Sequence, residues 1–357
     1  LTSIACNGVA PYKQIVTHGW TVDGEGKVMH KSLGNAVSPD DVLSQYGADI
    51  LRLWVASAEY TQDMRISPEI LKQLSQAYLK IRNTARYMLG NLSGFDPDNR
   101  VAPEKMIGLD RWAVYQLGKL AQTCRAAYNS YDFHIAYRAI YNFCVVEMSN
   151  FYLDIIKDRL YCGDGAGRAS AQTALYALLD GLTRLIAPVL AFTSDEIWAA
   201  MPHGKEDNVE SVLLNDMPDL DPAFALSEEE EACWIKVMAL RDDVNKALEL
   251  SRAEGGVKKN QDADLLLTFT PEAWKEFEAL HMDEDDLATI CIVSSVTLAQ
   301  GEGEGYQGEL FEGLTVKVSP AAGEKCPRCW NHDVHIGTQG HHAELCDRCA
   351  AVVKAEL

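Results

Sequence analysis

The chain has no apolar run approaching the roughly 18 residues that cross a bilayer as a helix. Its opening, "LTSIACNGVAPYKQIVTHGWTV", lacks the basic flank and clean apolar stretch of a signal peptide. Both absences predict a soluble, cytoplasmic protein, and a start at Leu1 in place of Met predicts a piece of something longer. Positive charge is scarce: 32 Lys and Arg face 52 Asp and Glu, a formal net charge of −20. That balance excludes a general nucleic-acid coat, which needs a basic surface, but permits a partner gripped through local patches. Such patches stand at Lys72, Lys80, Arg82 and Arg86, and at Lys246, Arg252, Lys258 and Lys259, each equally readable as a solvated helix face. No internal repeat is evident. A disulfide framework is absent too. Of ten cysteines, Cys6, Cys124, Cys144, Cys162, Cys233 and Cys291 lie scattered among apolar neighbours, as small buried hydrophobes do.

What is present suffices for two or three domains: 357 residues, 47% of them hydrophobic. Residues 13–29 predict a strand pair turning at Asp23-Gly24-Glu25-Gly26. Ser38, Pro39 and Asp41 predict a capped helix running from about 39 to 58. From 68 to 200 apolar residues recur at helical spacing, as in Leu117, Leu120, Cys124, Ala127 and Tyr131, or Tyr141, Val145, Met148, Tyr152 and Ile155. Successive helices with one apolar stripe each must bury those stripes against one another, which predicts a bundle. Pro188 ends one helix, and "TSDE" at 193–196 predicts a capping box opening the next. Residues 202–226 read as a linker. Ser227 and four glutamates then predict a helix that stops at Gly255-Gly256. "ADLLLTF" predicts a strand, "PEAWKEFEAL" a helix, and "ATICIVSSVTL" and "GLTVKV" further strands, together a small α/β unit.

Four cysteines crowd the far end. Cys326-Pro-Arg-Cys329 and Cys346-Asp-Arg-Cys349 are separated by sixteen residues. Two such knuckles place four thiolates around a tetrahedral zinc, one per chain, with the second pair returning by a hairpin. Redox cysteines are the alternative, and His332, His335, His341 or His342 lies near enough to exchange as a ligand. With so little apolar content, residues 322–357 need the metal to fold. Trp330, beside Cys329, reads either as packing or as a platform on which a base could stack.

The other candidate is "DGEGKVMHKSLGN", residues 23–35. It lacks the Walker spacing, but Lys31 offers a mobile point charge and Ser32 a hydroxyl in a glycine-flanked loop able to close on a phosphate. Residues 11–54, "APYKQIVTHGWTVDGEGKVMHKSLGNAVSPDDVLSQYGADILRLW" with the preceding alanine, resemble the second signature region of class I aminoacyl-tRNA synthetases. Val28-Met29-His30-Lys31-Ser32 stands where that family has Lys-Met-Ser-Lys-Ser, followed by Leu33-Gly34-Asn35. "RNTARYMLGNL" (82–92), "APVLAFTSDEIW" (187–198) and the terminal "CPRCW…CDRC" extend the resemblance to the isoleucyl branch of that family. Two departures stand out: the first lysine is Val28 and the middle serine is His30, which either donates to a phosphate or caps the turn. "HIGT" at 335–338 is similar to the family's His-Ile-Gly-His signature but ends in Thr338 and lies between zinc cysteines, so it reads as a loop accident.

The resemblance implies a multidomain, mainly α fold. It divides into the end of a Rossmann-type catalytic domain (1–37), a connecting fold (38–67), a helical anticodon-binding bundle (68–225), a helix with a small α/β junction domain (226–321) and a zinc ribbon (322–357). It implies the C-terminal part of a ligase that activates isoleucine with ATP and Mg²⁺ and charges its tRNA as a monomer. Lys31 would be catalytic, Ser32 and His30 would help hold ATP, Cys326, Cys329, Cys346 and Cys349 would hold zinc, and Arg82, Arg86 and Trp330 would touch tRNA. The rest of the site would precede Leu1, leaving this piece alone inactive. A valyl or leucyl relative, or a non-catalytic RNA-binding module, are the competing readings.

Overall fold

A computed structural model describes residues 1–163, 165–219, 221–337 and 342–356. They form two compact units: residues 1–90, 119–145 and 179–219 in one, and 91–118, 146–178 and 220–357 in the other. The architecture is mainly α, with one four-stranded sheet and two two-stranded pairs among the described residues. No helix there is long and apolar enough to cross a membrane.

The first unit opens with α1 (Thr2–Asn7), which buries nothing. Instead of a strand pair over 13–29, only β1 (Thr21–Val22) is regular, and Val22 makes one antiparallel bridge to Val28. The expected helix over 39–58 is two helices, α2 (Pro39–Tyr46) and α3 (Ala48–Ser57). They part at Gly47, whose φ of 85° is open to glycine and strained for other residues. Ser38 caps α2 by accepting from Asp40 N–H; Asp41 does not complete a capping box. β2 (Met64–Arg65) lies parallel to β1, with Thr21 opposite Met64. α4 (Pro68–Gly90) turns Leu71 and Leu74 into a core with Val42, Ile50, Trp54, Met64 and Ile66.

The middle of the chain is helical as predicted: α5 (Gly108–Ser130), α6 (Phe133–Asn142), α7 (Leu153–Ile155), α8 (Lys157–Cys162), α9 (Gly165–Ile186) and α10 (Ala191–Ala200). Residues 143–152 form a π-helical stretch where periodicity predicts a plain α-helix. "TSDE" opens no helix. α10 already begins at Ala191, and its cap comes from a distant buried side chain. Asp49 of α3 accepts from Thr193 N–H at 2.8 Å, Thr193 Oγ1 at 2.5 Å and Phe192 N–H at 3.3 Å. One turn on, Arg52 donates to the carbonyls of Pro188 and Val189. One helix thus supplies partners to five polar groups of the α9–α10 corner. The expected linker is partly packed, since Val212 is buried and Asp207 binds Arg184 at 2.6 Å.

In the second unit Asp110 is fully buried and bidentate to Arg159 at 2.8 and 2.9 Å, with Tyr152 and Ser170 hydroxyls donating to the same carboxylate. α11 (Glu228–Ala253) begins with the predicted capping box between Ser227 and Glu230. β3 (Ala263–Phe269) is central in the sheet and buried along most of its length. α12 (Pro271–Glu278) and α13 (Glu284–Cys291) carry the chain to β4 (Ser295–Gln300), which lies parallel to β3. A parallel pair needs a crossover, so the β-rich "ATIC" of the predicted strand is helical and extended pairing starts only at Ser295. β5 (Tyr306–Gln307) and β6 (Leu314–Pro320) complete the order β4-β3-β6-β5, with β6 antiparallel to both neighbours. The chain then forms β7 (Glu324–Lys325), β8 (His332–Asp333) and α14 (Asp347–Glu356). Of the six scattered cysteines, four are buried as expected; Cys6 is exposed and Cys233 half-buried.

Candidate nucleotide loop and metal centre

The lysine loop follows from a tight turn. Asp23 N–H donates to the Lys27 carbonyl, and the Asp23 carboxylate accepts from the amides of Glu25 and Lys27 at 3.0 and 2.8 Å. Lys27 itself is occupied, its ammonium 2.7 Å from Glu25. Residues Lys31–Leu33 make one 3₁₀ turn that ends at Gly34 with φ 67°, a left-handed residue that closes the loop. His30 precedes this turn but makes no side-chain cap, so the capping role weighed for its imidazole is not what the structure shows. His30, Lys31 and Ser32 are all exposed. Asn35 is the half-buried member. Its carbonyl oxygen accepts from His30 N–H at 3.0 Å, and its amide nitrogen donates to Asp23 Oδ2 at 2.7 Å and to the Val28 carbonyl at 3.3 Å. The Asn35 contact, with the turn amides, holds the Asp23 carboxyl below its usual value of 3.8.

The metal centre is the opposite kind of place. β7 and β8 pair antiparallel around the first knuckle, where Trp330 N–H donates to the Cys326 carbonyl at 2.9 Å. The second knuckle leads into a helix, Cys346 immediately preceding α14 and Cys349 lying within its first turn, while part of the connection between the knuckles lies outside the described residues. All four sulfurs are buried and lie within 4.8 Å of one another. Cys329 and Cys346 sulfurs are 3.7 Å apart. A tetrahedral zinc with bonds of about 2.3 Å requires edges of about 3.8 Å, whereas a disulfide needs about 2 Å. The donor set therefore fits zinc. Burial pushes three thiols up, Cys329 to about 12 and Cys346 and Cys349 to about 11. Burial also acts on Cys326, but amide donors from Cys329, Cys346 and Arg328 outweigh it and bring this thiol to about 7. Four sulfurs this close repel one another as thiolates, so only a cation lets all four ionise.

No histidine joins the cluster among the described residues. His332 Nδ1 lies 3.3 Å from the Gly323 carbonyl, and His335 stands 3.3 Å from Asp333. His341 and Thr338 lie outside the described residues. Sequence reasoning missed the second layer of this centre. Arg328 and Arg348, the residue before the second cysteine in each knuckle, both reach α8. Arg328 donates to the Cys162 carbonyl at 2.8 Å, and Arg348 binds Asp158 with two nitrogens, one at 2.8 Å. Cys162 packs in the same apolar cluster as the four ligands. Only the repeated C-x-R-C pattern hinted at this.

The predicted tRNA contacts are dispersed. Arg82 is part-exposed on α4, 4.0 Å from Glu196, and Arg86 is exposed one turn on. Trp330 is 55% exposed with a left-handed φ of 68°, and the Lys259 ammonium lies 5.8 Å from its ring centre.

Three sequence families match separate stretches of the chain. Residues 1–67 match "tRNA synthetases class I (I, L, M and V)", residues 110–267 match "Anticodon-binding domain of tRNA ligase", and residues 323–352 match "Zinc finger found in FPG and IleRS". Each of these stretches is similar to a part of class I tRNA synthetases or of proteins sharing their zinc finger. The chain is 49% identical over 356 residues to the isoleucine–tRNA ligase of Syntrophotalea carbinolica and 47% identical over 357 residues to that of Geobacter sulfurreducens. Each alignment takes in 99% of this chain but 38% of the relative, so the chain spans little more than a third of the curated proteins it matches. Among solved structures, a LeuRS–tRNA–LeuAMS complex from Agrobacterium radiobacter K84 covers 71% of this chain and 25% of its own, with 18% identity and a TM-score of 0.46. A methionyl-tRNA synthetase of Mycobacterium tuberculosis covers 55% and 40%, with 22% identity and the same TM-score.

Proposed function

We propose that this chain is the part of an isoleucine–tRNA ligase that brings the lysine loop to ATP, grips the tRNA and carries a structural zinc, as a cytoplasmic monomer. The observation that carries the reading is an exposed Lys31 on a braced turn, in a chain similar along 99% of its length to isoleucine–tRNA ligases. In the reaction the isoleucine carboxylate attacks the α-phosphate of ATP, pyrophosphate leaves, and the acyl group passes to the terminal adenosine of the tRNA. Negative charge gathers on the phosphate oxygens in the first step. Lys31 would neutralise it as the catalytic cation of this chain, with the Ser32 hydroxyl and the exposed His30 ring as donors. Mg²⁺ would supply further charge stabilisation. Val28 offers no cation in place of the family's first lysine, so the load falls on Lys31.

Residues 1–37, 38–67, 68–225, 226–321 and 322–357 would serve as catalytic end, connecting fold, anticodon bundle, junction domain and ribbon. Arg82 and Arg86 would meet tRNA phosphates, and Trp330 with Lys259 above it would stack on a base. Charging assays on the full-length protein with isoleucine, valine and leucine test the reading. Isoleucine alone should support efficient transfer, and a preference for either other amino acid overturns it. The chain by itself should bind tRNA weakly and form no adenylate.

A further inference from the structure

We propose that Asn35 and Asp23 are positioning residues for Lys31, a paired amide and carboxylate that fixes where the lysine turn projects from the preceding Asp23–Lys27 turn. The inference rests on the function proposed above. Each side chain works on both sides. Asp23 ties its own turn through Oδ1, which accepts from Glu25 and Lys27 amides, and presents Oδ2 to Asn35 at 2.7 Å. Asn35 holds the Val28 carbonyl and the His30 amide with its two ends. The stretch is closed further by Leu33 N–H to the His30 carbonyl at 3.0 Å and Gly34 N–H to the Lys31 carbonyl at 3.3 Å. Lys31 therefore leaves from a small ring of backbone whose polar side-chain ties are made by these two, while the Met29 side chain, whose sulfur accepts from Val37 N–H at 3.4 Å, packs against the core before it. Residues 30–34 are all exposed, so past Met29 the polar pair is what ties this segment back to the preceding turn.

The consequence is catalytic because a lysine ammonium is a point charge on a flexible stem, and its mean position follows its backbone. A displacement of about 1 Å in a reacting site costs on the order of 100-fold in rate. Neither Asn35 nor Asp23 need touch the nucleotide. Loss of the pair should lower kcat more than it changes the KM for ATP, since the charge matters most when the phosphate is under attack.

An exchange of the two side chains separates positioning from mere turn stability. Asn35→Asp sets two carboxylates against each other, and Asp23→Asn removes the charged acceptor. Asp23→Asn combined with Asn35→Asp restores one amide facing one carboxylate. In the full-length ligase each single variant should lower kcat for isoleucine-dependent pyrophosphate exchange by about 10- to 100-fold, with the KM for ATP moved by less than about 3-fold, and the double exchange should recover most of the loss. In the present chain, hydrogen exchange at the His30 amide should quicken in each single variant and slow again in the double, with an unchanged Tm. Single variants with wild-type kcat overturn the proposal, as do losses that add in the double variant. If the unaltered full-length protein fails to exchange pyrophosphate with isoleucine, the functional reading falls, and the His30 amide alone decides whether the pair braces the turn.

Discussion

The lysine loop and the cysteine cluster carry the two clearest chemical signals in the sequence, and they are built in opposite ways. Lys31 and Ser32 stand in solvent on a turn braced by one asparagine and one aspartate. The four sulfurs are buried, and two arginines lock their knuckles to α8. A group that must meet a phosphate and let it go has to keep its water and some freedom until the substrate arrives. A structural metal centre gains from the reverse, because burial keeps the ligands together and the cation relieves their repulsion. The same rules of charge and burial thus give an exposed cation in one place and a clasp in the other.

The contrast breaks most visibly at the metal. Cys349→Ser, or prolonged chelation of the wild type, should unfold residues 322–357 while α2–α4 stay folded, since zinc contributes on the order of 10 kcal/mol to folding small modules. Hydrogen exchange resolved along the chain and metal analysis, with one zinc per chain expected, measure this. A well-protected ribbon without metal would contradict it. Lys31→Ala should do the reverse in the full-length ligase: a fall in adenylate formation of about 100- to 1,000-fold, with a change in urea stability within about 0.5 kcal/mol because the side chain is exposed.

Smaller changes sharpen the comparison. Arg348→Met leaves the zinc ligands in place but removes the clasp on Asp158. Both partners are partly exposed, so the loss should be about 1 kcal/mol or less, read as faster exchange of α8 amides with full zinc occupancy. The mildest test is pH. The folded Asp23 carboxyl titrates below its unfolded value, so its contribution is whole above about 3.8 and disappears as pH falls through the depressed folded value. His30 amide protection should therefore survive the ordinary carboxylate range and fail only in stronger acid. Failure near neutral pH would mean that another group holds the turn.

Much of this was legible in the residues. The two knuckles, the lysine turn, the Ser227 capping box and the central strand 263–269 rest on local chemistry, and the structure has each of them. Two of the misreadings share one cause. Helix α10 is capped by Asp49, 142 residues before its first residue, a partner that no window around "TSDE" contains. The segment "ATIC" has strand-forming residues but serves as the crossover of a parallel pair. The pairing of Asn35 with Asp23 and the reach of Arg328 and Arg348 to α8 depend on chain paths, which spacing does not encode.

By itself, then, the sequence determined which groups could do chemistry: four thiols in two short knuckles and a lysine between glycines, because such groups act within a few residues of one another. Only the tertiary structure decided what holds those groups in place. A side chain's long-range partner is chosen by packing and by the need to satisfy buried polar groups, and both are properties of the folded chain as a whole.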